Sequence, residues 1–389
     1  MIQNANCCGV SRIEETVPED RISALPEDLL VMILDLVPTK DAVATMFLSK
    51  RWFSVWTMKQ RLEYIDMEDE SKKSVWRFLE KSLQLHRAPV ISNLCIVLGP
   101  SCPTDADVGK LVANAVDRSV LEMKLQLLWS ADPAILPKTL YSCQSLVTLT
   151  LSDKILVDVP SSASLPSLTT LYLHDVLYKD DDSLVKLLSS CPVLEKLFVK
   201  RNKKDDNVTR FRVEMPNLLC VSYKNLRDDS GVADTGRYLV IVTSALTHFE
   251  IFDASGDSRS MEMPSLDSAT IAIASYPDDK FLRSVFASQG HTTKDLPLSW
   301  IQPSSVPGCL SSQLEDFEWY AYVGREEEEQ FLTYLLANSN CLKTAKISLS
   351  LPTCEFESDF ELAKEMTMDG FKDIPRVSTE SQLVIKVLT

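Results

Sequence analysis

A short phrase of the form apolar-x-x-apolar-x-apolar recurs along most of this 389-residue chain and constrains its fold more than any other feature. Clear copies are Leu146-Leu149-Leu151, Leu168-Leu171-Leu173, Leu194-Leu197-Val199, Leu218-Val221-Tyr223, Leu246-Phe249-Ile251 and Leu266-Ala269-Ile271. Weaker copies stand upstream at Ile91-Leu94-Ile96 and Val120-Met123-Leu125; Leu314-Phe317-Trp319 and Leu342-Ala345-Ile347 follow downstream. Successive first positions lie 29, 26, 22, 26, 24, 28, 20, 48 and 28 residues apart. The spacing of two at the end of each copy puts both side chains on one face of a strand. A single short strand cannot bury that face alone, so the copies must stack into a solenoid.

All but one of these spacings fall within or at the edge of the 20 to 29 residues of a leucine-rich repeat, and the interval of 48 is expected to hide one unrecognised unit. Helical stretches such as Ser183 to Leu188, stopped by Cys191-Pro192, lie between strands, so each repeat is expected to be a strand plus a helix. The fold class expected is α/β, a short three-helix N-terminal unit followed by an irregular solenoid of parallel strands and helices. The expected limits are a disordered tail over 1–20, the helical module over 21–66, a connecting helix over 67–89, repeats over 90–310, and a region over 311–389 that continues or caps the solenoid.

The helical module has its own character. It is nearly neutral, with 6 basic and 5 acidic residues between Arg21 and Ile65. Pro26 suits the first turn of a helix, Glu27 and Asp28 complement the helix dipole there, and Leu29, Leu30, Ile33, Leu34 and Val37 recur at helical spacing until Pro38 stops it. Thr39 is the expected N-cap of a second helix striped by Ala42, Val43, Met46 and Phe47 or Leu48. A third carries Trp52, Val55 and Trp56. Three short helices in some 45 residues bury too little surface to stand alone, so part of this apolar material is expected to meet a partner.

Leu25-Pro26-Glu27-Asp28-Leu29-Leu30, then Pro38-Thr39-Lys40-Asp41-Ala42-Val43-Ala44-Thr45, then Leu48-Ser49-Lys50-Arg51-Trp52 resemble the F-box of plant F-box proteins. Two departures bear on adaptor choice: Met46-Phe47, where shorter residues are common, and Thr57 to Arg61, where a proline-containing segment is usual. Towards the C-terminus, Leu314 to Trp319, the acidic Glu326 to Glu329, Phe331 to Leu336, Cys341-Leu342-Lys343 and Gln382-Leu383-Val384 resemble the FBD region that ends plant F-box proteins with leucine-rich repeats.

The resemblance implies a substrate-recognition subunit of a Skp-cullin-F-box ubiquitin ligase, itself without catalysis. Its F-box binds a Skp-family adaptor, and through it a cullin and a RING protein, while the repeats hold a target. The alternative is an adaptor-bound scaffold or regulatory protein acting without cullin or ubiquitin transfer. The adaptor-binding set it implies is Leu25, Pro26, Leu29, Leu30, Ile33, Leu34, Val37, Pro38, Val43, Leu48 and Trp52. Within it Ile33, Val37 and Trp52 are expected to hold the helices together, and Leu25, Pro26, Leu29, Leu34 and Pro38 to face the adaptor. Leu25 and Pro26 open the contact as hot spots whose truncation costs about 2 kcal/mol or more.

Strand alternation locates the target surface. With Leu149 and Leu151 inward, Thr148 and Thr150 point out onto the concave sheet, followed by Thr170, Tyr172 and His174, then Lys196, Phe198 and Lys200, then Ser222 and Lys224, then His248, Glu250 and Phe252. Tyr172 and Phe198 are the most informative of these, because aromatic side chains without core duty commonly anchor interfaces.

Other functions find little support in the residues. The net charge is -15, and residues 311–389 carry 15 acidic against 7 basic side chains, a difference of -8 that repels phosphate backbones and disfavours nucleic acid. No apolar run reaches the roughly 18 residues of a membrane span; the longest, Tyr238 to Leu246, reads as a strand. Nor does the N-terminus carry a signal peptide's apolar segment, so a cytoplasmic or nuclear location is expected. The ten cysteines form no C-x-x-C pair, and the four histidines, His86, His174, His248 and His291, fall in no zincin or nucleophile motif. No catalytic residue, metal or cofactor is expected, and His174 and His248 read first as solvated surface residues. Lys200 to Lys204 reads as a solvated loop, with a nuclear localisation element or a contact for an acidic target as the other readings. The acidic groups Asp180 to Asp182 and Glu326 to Glu329 sit where helices should begin. The sequon Asn207-Val208-Thr209 is discounted.

Overall fold

The computed structural model describes residues 22, 24–66, 74–201, 207–226, 238–253, 258–273, 305–324, 326–350, 371, 374–378 and 381–387. The tail at 1–20, Asn202 to Lys204, and His291 lie outside the described residues.

Twelve parallel strands form one sheet in strict chain order: β1 (Arg61–Ile65), β2 (Asn93–Leu98), β3 (Glu122–Leu127), β4 (Thr148–Asp153), β5 (Thr170–His174), β6 (Lys196–Arg201), β7 (Cys220–Asn225), β8 (His248–Asp253), β9 (Ser268–Ile273), β10 (Asp316–Tyr322), β11 (Thr344–Leu349) and β12 (Gln382–Val387). Each strand pairs only with its neighbours in sequence, as a stacked repeat requires. The second apolar position of every phrase lands in one row across the ladder, Leu149 beside Leu171, Leu197, Val221, Phe249, Ala269, Phe317 and Ala345. All are buried. At about 1.5–3 kcal/mol for each large apolar side chain taken from water, this row and its partner two residues on are the main attraction between repeats.

One expectation lies outside the described residues and two are corrected. Between β9 and β10 no described strand stands, since they pair directly, Ser268 opposite Asp316, and residues 274–304 lie outside the described residues. The module over 21–66 is not helical throughout, because Arg61 to Ile65 form β1 and bury Leu62 and Tyr64 in the sheet core. And strand-plus-helix is not the rule. Among the described residues, helices α4 (Trp76–Leu85), α5 (Val108–Asp117), α6 (Asp182–Ser189), α7 (Gly308–Ser312) and α8 (Glu326–Asn338) link some strands. Other links run through two three-stranded flank ladders, Ala134–Ile135 with Ile155–Val157 and Leu177–Tyr178, and Arg210–Glu214 with Tyr238–Val242 and Ser258–Glu262. Arg210 to Glu214 alternates exposed and buried with period two, a pattern that suits a strand and cannot present one helical face.

The acidic groups do more than meet a dipole. Asp181 accepts hydrogen bonds from the Thr209 N–H and hydroxyl at 2.9 and 2.6 Å, tying the start of α6 to a flank ladder. Glu328 reaches back from α8 to accept from the Val323 and Gly324 N–H groups, with Gly324 at φ 84°, a conformation that favours glycine. Asn207 is spent on Tyr178, its amide accepting from that residue's N–H at 3.1 Å and donating to its carbonyl.

The N-terminal unit consists of three further helices, α1 (Glu27–Asp35), α2 (Thr39–Ala44) and α3 (Lys50–Thr57), around a small core of Leu30, Leu34, Ala42, Val55 and Trp56. Thr39 is not a cap; it opens the second helix, and its hydroxyl accepts the Glu63 N–H at 2.7 Å, joining the helices to β1. Ser49 caps the third helix through the Trp52 N–H. Lys59, from the segment that departs from the usual F-box, is buried and donates from Nζ to the Leu34 and Val37 carbonyls at 2.5 and 3.1 Å. These carbonyls end the first helix, where intrahelical donors run out and a cation is favoured. Asp35, 3.6 Å from Nζ, accepts from the Gln60 and Arg61 N–H groups at 3.0 Å each. His86 continues the joint, its Nε2 on the Lys59 carbonyl and its Nδ1 on Arg118, each at 2.6 Å. A neutral imidazole fits both contacts, donating from Nε2 and accepting the guanidinium at Nδ1.

Candidate protein-binding surfaces

The first helix is apolar on two sides. Leu30 and Leu34 face inward and are fully buried, so neither is available to a partner, contrary to their place in the expected adaptor set. Ile33, expected in the core, is instead 39% exposed: the inner and outer stripes are one residue out of step with the sequence reading. Pro26, Leu29, Pro38 and Leu48 are exposed, and Leu25, Val37, Val43 and Trp52 are half-buried, packed against the small core. The outer stripe consists of Leu29, Met32, Ile33 and Leu36, at i, i+3, i+4 and i+7, and Phe47 and Leu48 are exposed on the neighbouring turn. Leu36 and Phe47 are 85% and 82% exposed. A helix with apolar residues on both faces has one face too many for a small monomeric unit. Met32 and Leu36 escaped the sequence reading, although they continue the helical period from Leu29; Phe47, read there as an alternative stripe position and a departure from the F-box pattern, is instead exposed.

The second surface is the open face of the sheet, opposite the helices and flank ladders. Register aligns Lys124, Thr150, Tyr172, Phe198, Ser222 and Glu250 in one row, and Gln126, Ser152, His174, Lys200, Lys224 and Phe252 in the next. Tyr172 and Phe198 stack with ring centroids 4.5 Å apart and planes 8° from parallel, and His174 meets the Tyr172 edge at 5.9 Å. His174 has its pKa lowered by burial first and by the Lys200 charge second, with Lys124 acting the same way and Asp175 and Asp153 opposing. Thr148, Thr150 and Thr170 are half-buried, and Lys196 and His248 are exposed. Ser222 corrects the expectation: it lies on this face but is buried between larger neighbours, donating to Glu250 at 2.5 Å. Glu250 also pairs with Lys224 at 2.9 Å.

Lys200 sits on this face, whereas its neighbour Arg201 turns inward. Arg201 is buried, donates to the Tyr223 hydroxyl at 3.0 Å and the Val208 carbonyl at 2.9 Å, and lies 5.0 Å over the Phe211 ring. The basic run is therefore not one solvated loop. Among the described residues no group of His, Cys, Asp and Glu has the arrangement of a metal site, and no helix is long and apolar enough to cross a membrane.

The two surfaces coincide with known family regions. Family profiles match the F-box domain over residues 22–64, the leucine-rich repeats of the FBD-associated F-box protein At5g56370 over 108–242, and FBD over 302–347. Over nearly the whole chain it is similar to plant proteins of the same layout. A relative from Arabidopsis thaliana named as an FBD-associated F-box protein, At1g05080, is 51% identical across 97% of this chain and 99% of its own length. One named as an F-box/FBD/LRR-repeat protein, At1g22000, is 43% identical across 94% and 91%. The F-box/FBD/LRR-repeat protein At4g26340 is 34% identical across 94% and 99%. The chain belongs to the plant F-box family that joins an F-box, leucine-rich repeats and an FBD region.

Proposed function

We propose that this chain is the substrate-recognition subunit of a Skp-cullin-F-box ubiquitin ligase. The observation that carries the reading is the outer stripe on the first helix, with Phe47 and Leu48 exposed as well: large apolar side chains left open among the described residues, on the segment that matches the F-box. A Skp-family adaptor covers this stripe and links the chain to a cullin and its RING partner. The open face of the sheet holds the target. No bond chemistry falls to this chain; it raises the local concentration of target beside the charged conjugating enzyme, a proximity effect.

The test is co-purification of the full chain with a Skp-family adaptor and cullin, against the double variant Leu36→Asp/Phe47→Asp. Both positions are so exposed that the variant should fold, and truncating or charging an interface hot spot costs about 2 kcal/mol or more, roughly a thirtyfold loss of affinity. Recovery of adaptor and cullin with the parent chain alone supports the reading. Adaptor without cullin favours the scaffold or regulatory alternative, and equal recovery with the variant rejects the stripe as the docking surface.

A further inference from the structure

The target surface is electrostatically unlike the rest of the molecule. The chain carries -15 overall, yet the central open face presents Lys124, Lys196 and Lys200 around the Tyr172–Phe198 stack. Among the described residues, none of these three lysines has an ion-pair partner, whereas the nearby Glu250 is already occupied by Lys224 and Ser222. On both sides the same face turns acidic, with Glu63 on β1 and Glu122 on β3 before the strip and Asp316 and Glu318 on β10 after it. The positive charge is thus local, and it surrounds the only closely stacked aromatic pair found on this face among the described residues.

We propose that this strip binds an extended, acidic peptide segment of the target protein, rich in aspartate and glutamate. The inference rests on the receptor reading for calling the bound segment a target. Lys124 stands three strand spacings from β6, roughly 14 Å, a distance covered by about four extended residues. A peptide crossing the strands therefore places one carboxylate near Lys124 and another near Lys196 or Lys200, with an apolar side chain over the rings between them. These lysines attract acidic segments locally, against the negative field of the rest of the chain, and repel basic ones. Single-stranded nucleic acid is the poorer occupant. Tyr172 and Phe198 each spend one ring face on the other, which leaves at most one face apiece to stack a base.

The experiment measures fluorescence anisotropy of the full chain with three probes: a fluorescein-labelled Glu-rich decapeptide with one central Tyr, the same peptide with Lys for Glu, and a ten-nucleotide oligo(dT). The acidic peptide should bind at least tenfold tighter than the basic one, with affinity falling as salt rises. Lys124→Glu/Lys200→Glu should weaken it at least tenfold. Phe198→Ser should weaken it about fivefold while leaving the salt dependence in place. Equal binding of the two peptides, or indifference to the charge reversals, overturns the proposal. Tighter binding of oligo(dT) overturns it in favour of a nucleic-acid partner. Adaptor and cullin co-purification run on the same variants separates the two readings: assembly without acidic-peptide binding defeats this inference alone, and peptide binding without assembly defeats the receptor reading alone.

Discussion

Lys59 shows what one residue can decide here. In sequence it is merely part of a segment that departs from the F-box pattern; in the fold it is a buried cation closing the end of the first helix. Burial pushes its pKa down, and Asp35 opposes that. Removing the cation strips the Val37 carbonyl of its Lys59 donor and leaves Asp35 with its two backbone donors but no counter-charge, so Lys59→Met should cost about 2–3 kcal/mol in a urea denaturation, the solvent-facing side of Asp35 tempering the loss. A cost within experimental error would show that the joint is not structural. His86, its neighbour, has its pKa lowered from the ordinary 6.5, by burial above all, with Arg118 adding to the fall and the Lys59 carbonyl and Asp35 resisting it. The unfolded chain therefore takes up the proton first as pH falls. Its contribution is complete above about pH 6.5 and is lost below that, at no more than about 1.4 kcal/mol per pH unit for one proton. Urea midpoints at pH 7.5 and 5.5 should differ more for the parent chain than for His86→Gln. The exchange of Ile33 and Leu34 between core and surface was not legible, because a first helix apolar on both sides fits either rotation about its axis.

At the scale of elements the strands were read more surely than their connections. Each of the ten phrases found in the sequence lies at or leads into a strand of the sheet, because period two with buried large residues has few alternatives. The first and last strands were missed: Arg61-Leu62-Glu63-Tyr64-Ile65 has the alternation but stands inside a helical module, and β12 was noticed only as part of the C-terminal region. The flank ladders were missed for a different reason. Strands such as Ala134–Ile135 and Leu177–Tyr178 are two residues long and carry no period at all. Beside the apolar packing of Phe211, Val213, Leu239 and Ile241, the second ladder is held to the sheet by a side chain from another element, Arg201 of β6, reaching Val208 and Phe211. Arg201→Leu should therefore release Arg210–Glu214 and Tyr238–Val242 to faster hydrogen exchange while β1 to β4 keep their protection, since stacked repeats transmit loss mainly to neighbours. Uniform loss across all twelve strands would instead mark the array as one cooperative unit.

Across the whole molecule, the two surfaces are joined through backbone and side chains rather than by a free linker. The third helix ends at Thr57, Lys59 and Asp35 fasten that end to the first helix, Asp35 and Thr39 hold the first residues of β1, and β1 is the opening strand of the sheet that carries the lysine and aromatic strip. A fixed joint matters for a receptor acting by proximity, since effective concentration falls when the spacing between bound target and enzyme is free to vary. Asp35→Ala removes the carboxylate oxygen that accepts two N–H groups and the Lys59 counter-charge at the joint, and alters neither the outer stripe nor the open face. In a reconstituted ligase, with the acidic decapeptide fused to a lysine-bearing carrier as substrate, this variant should bind adaptor and peptide within about threefold of the parent, and ubiquitin transfer should drop several-fold more than either affinity. Transfer that falls only in step with binding would mean that the joint stabilises the fold without setting the geometry of delivery, and that the strip and the F-box act as two independent sites on one chain.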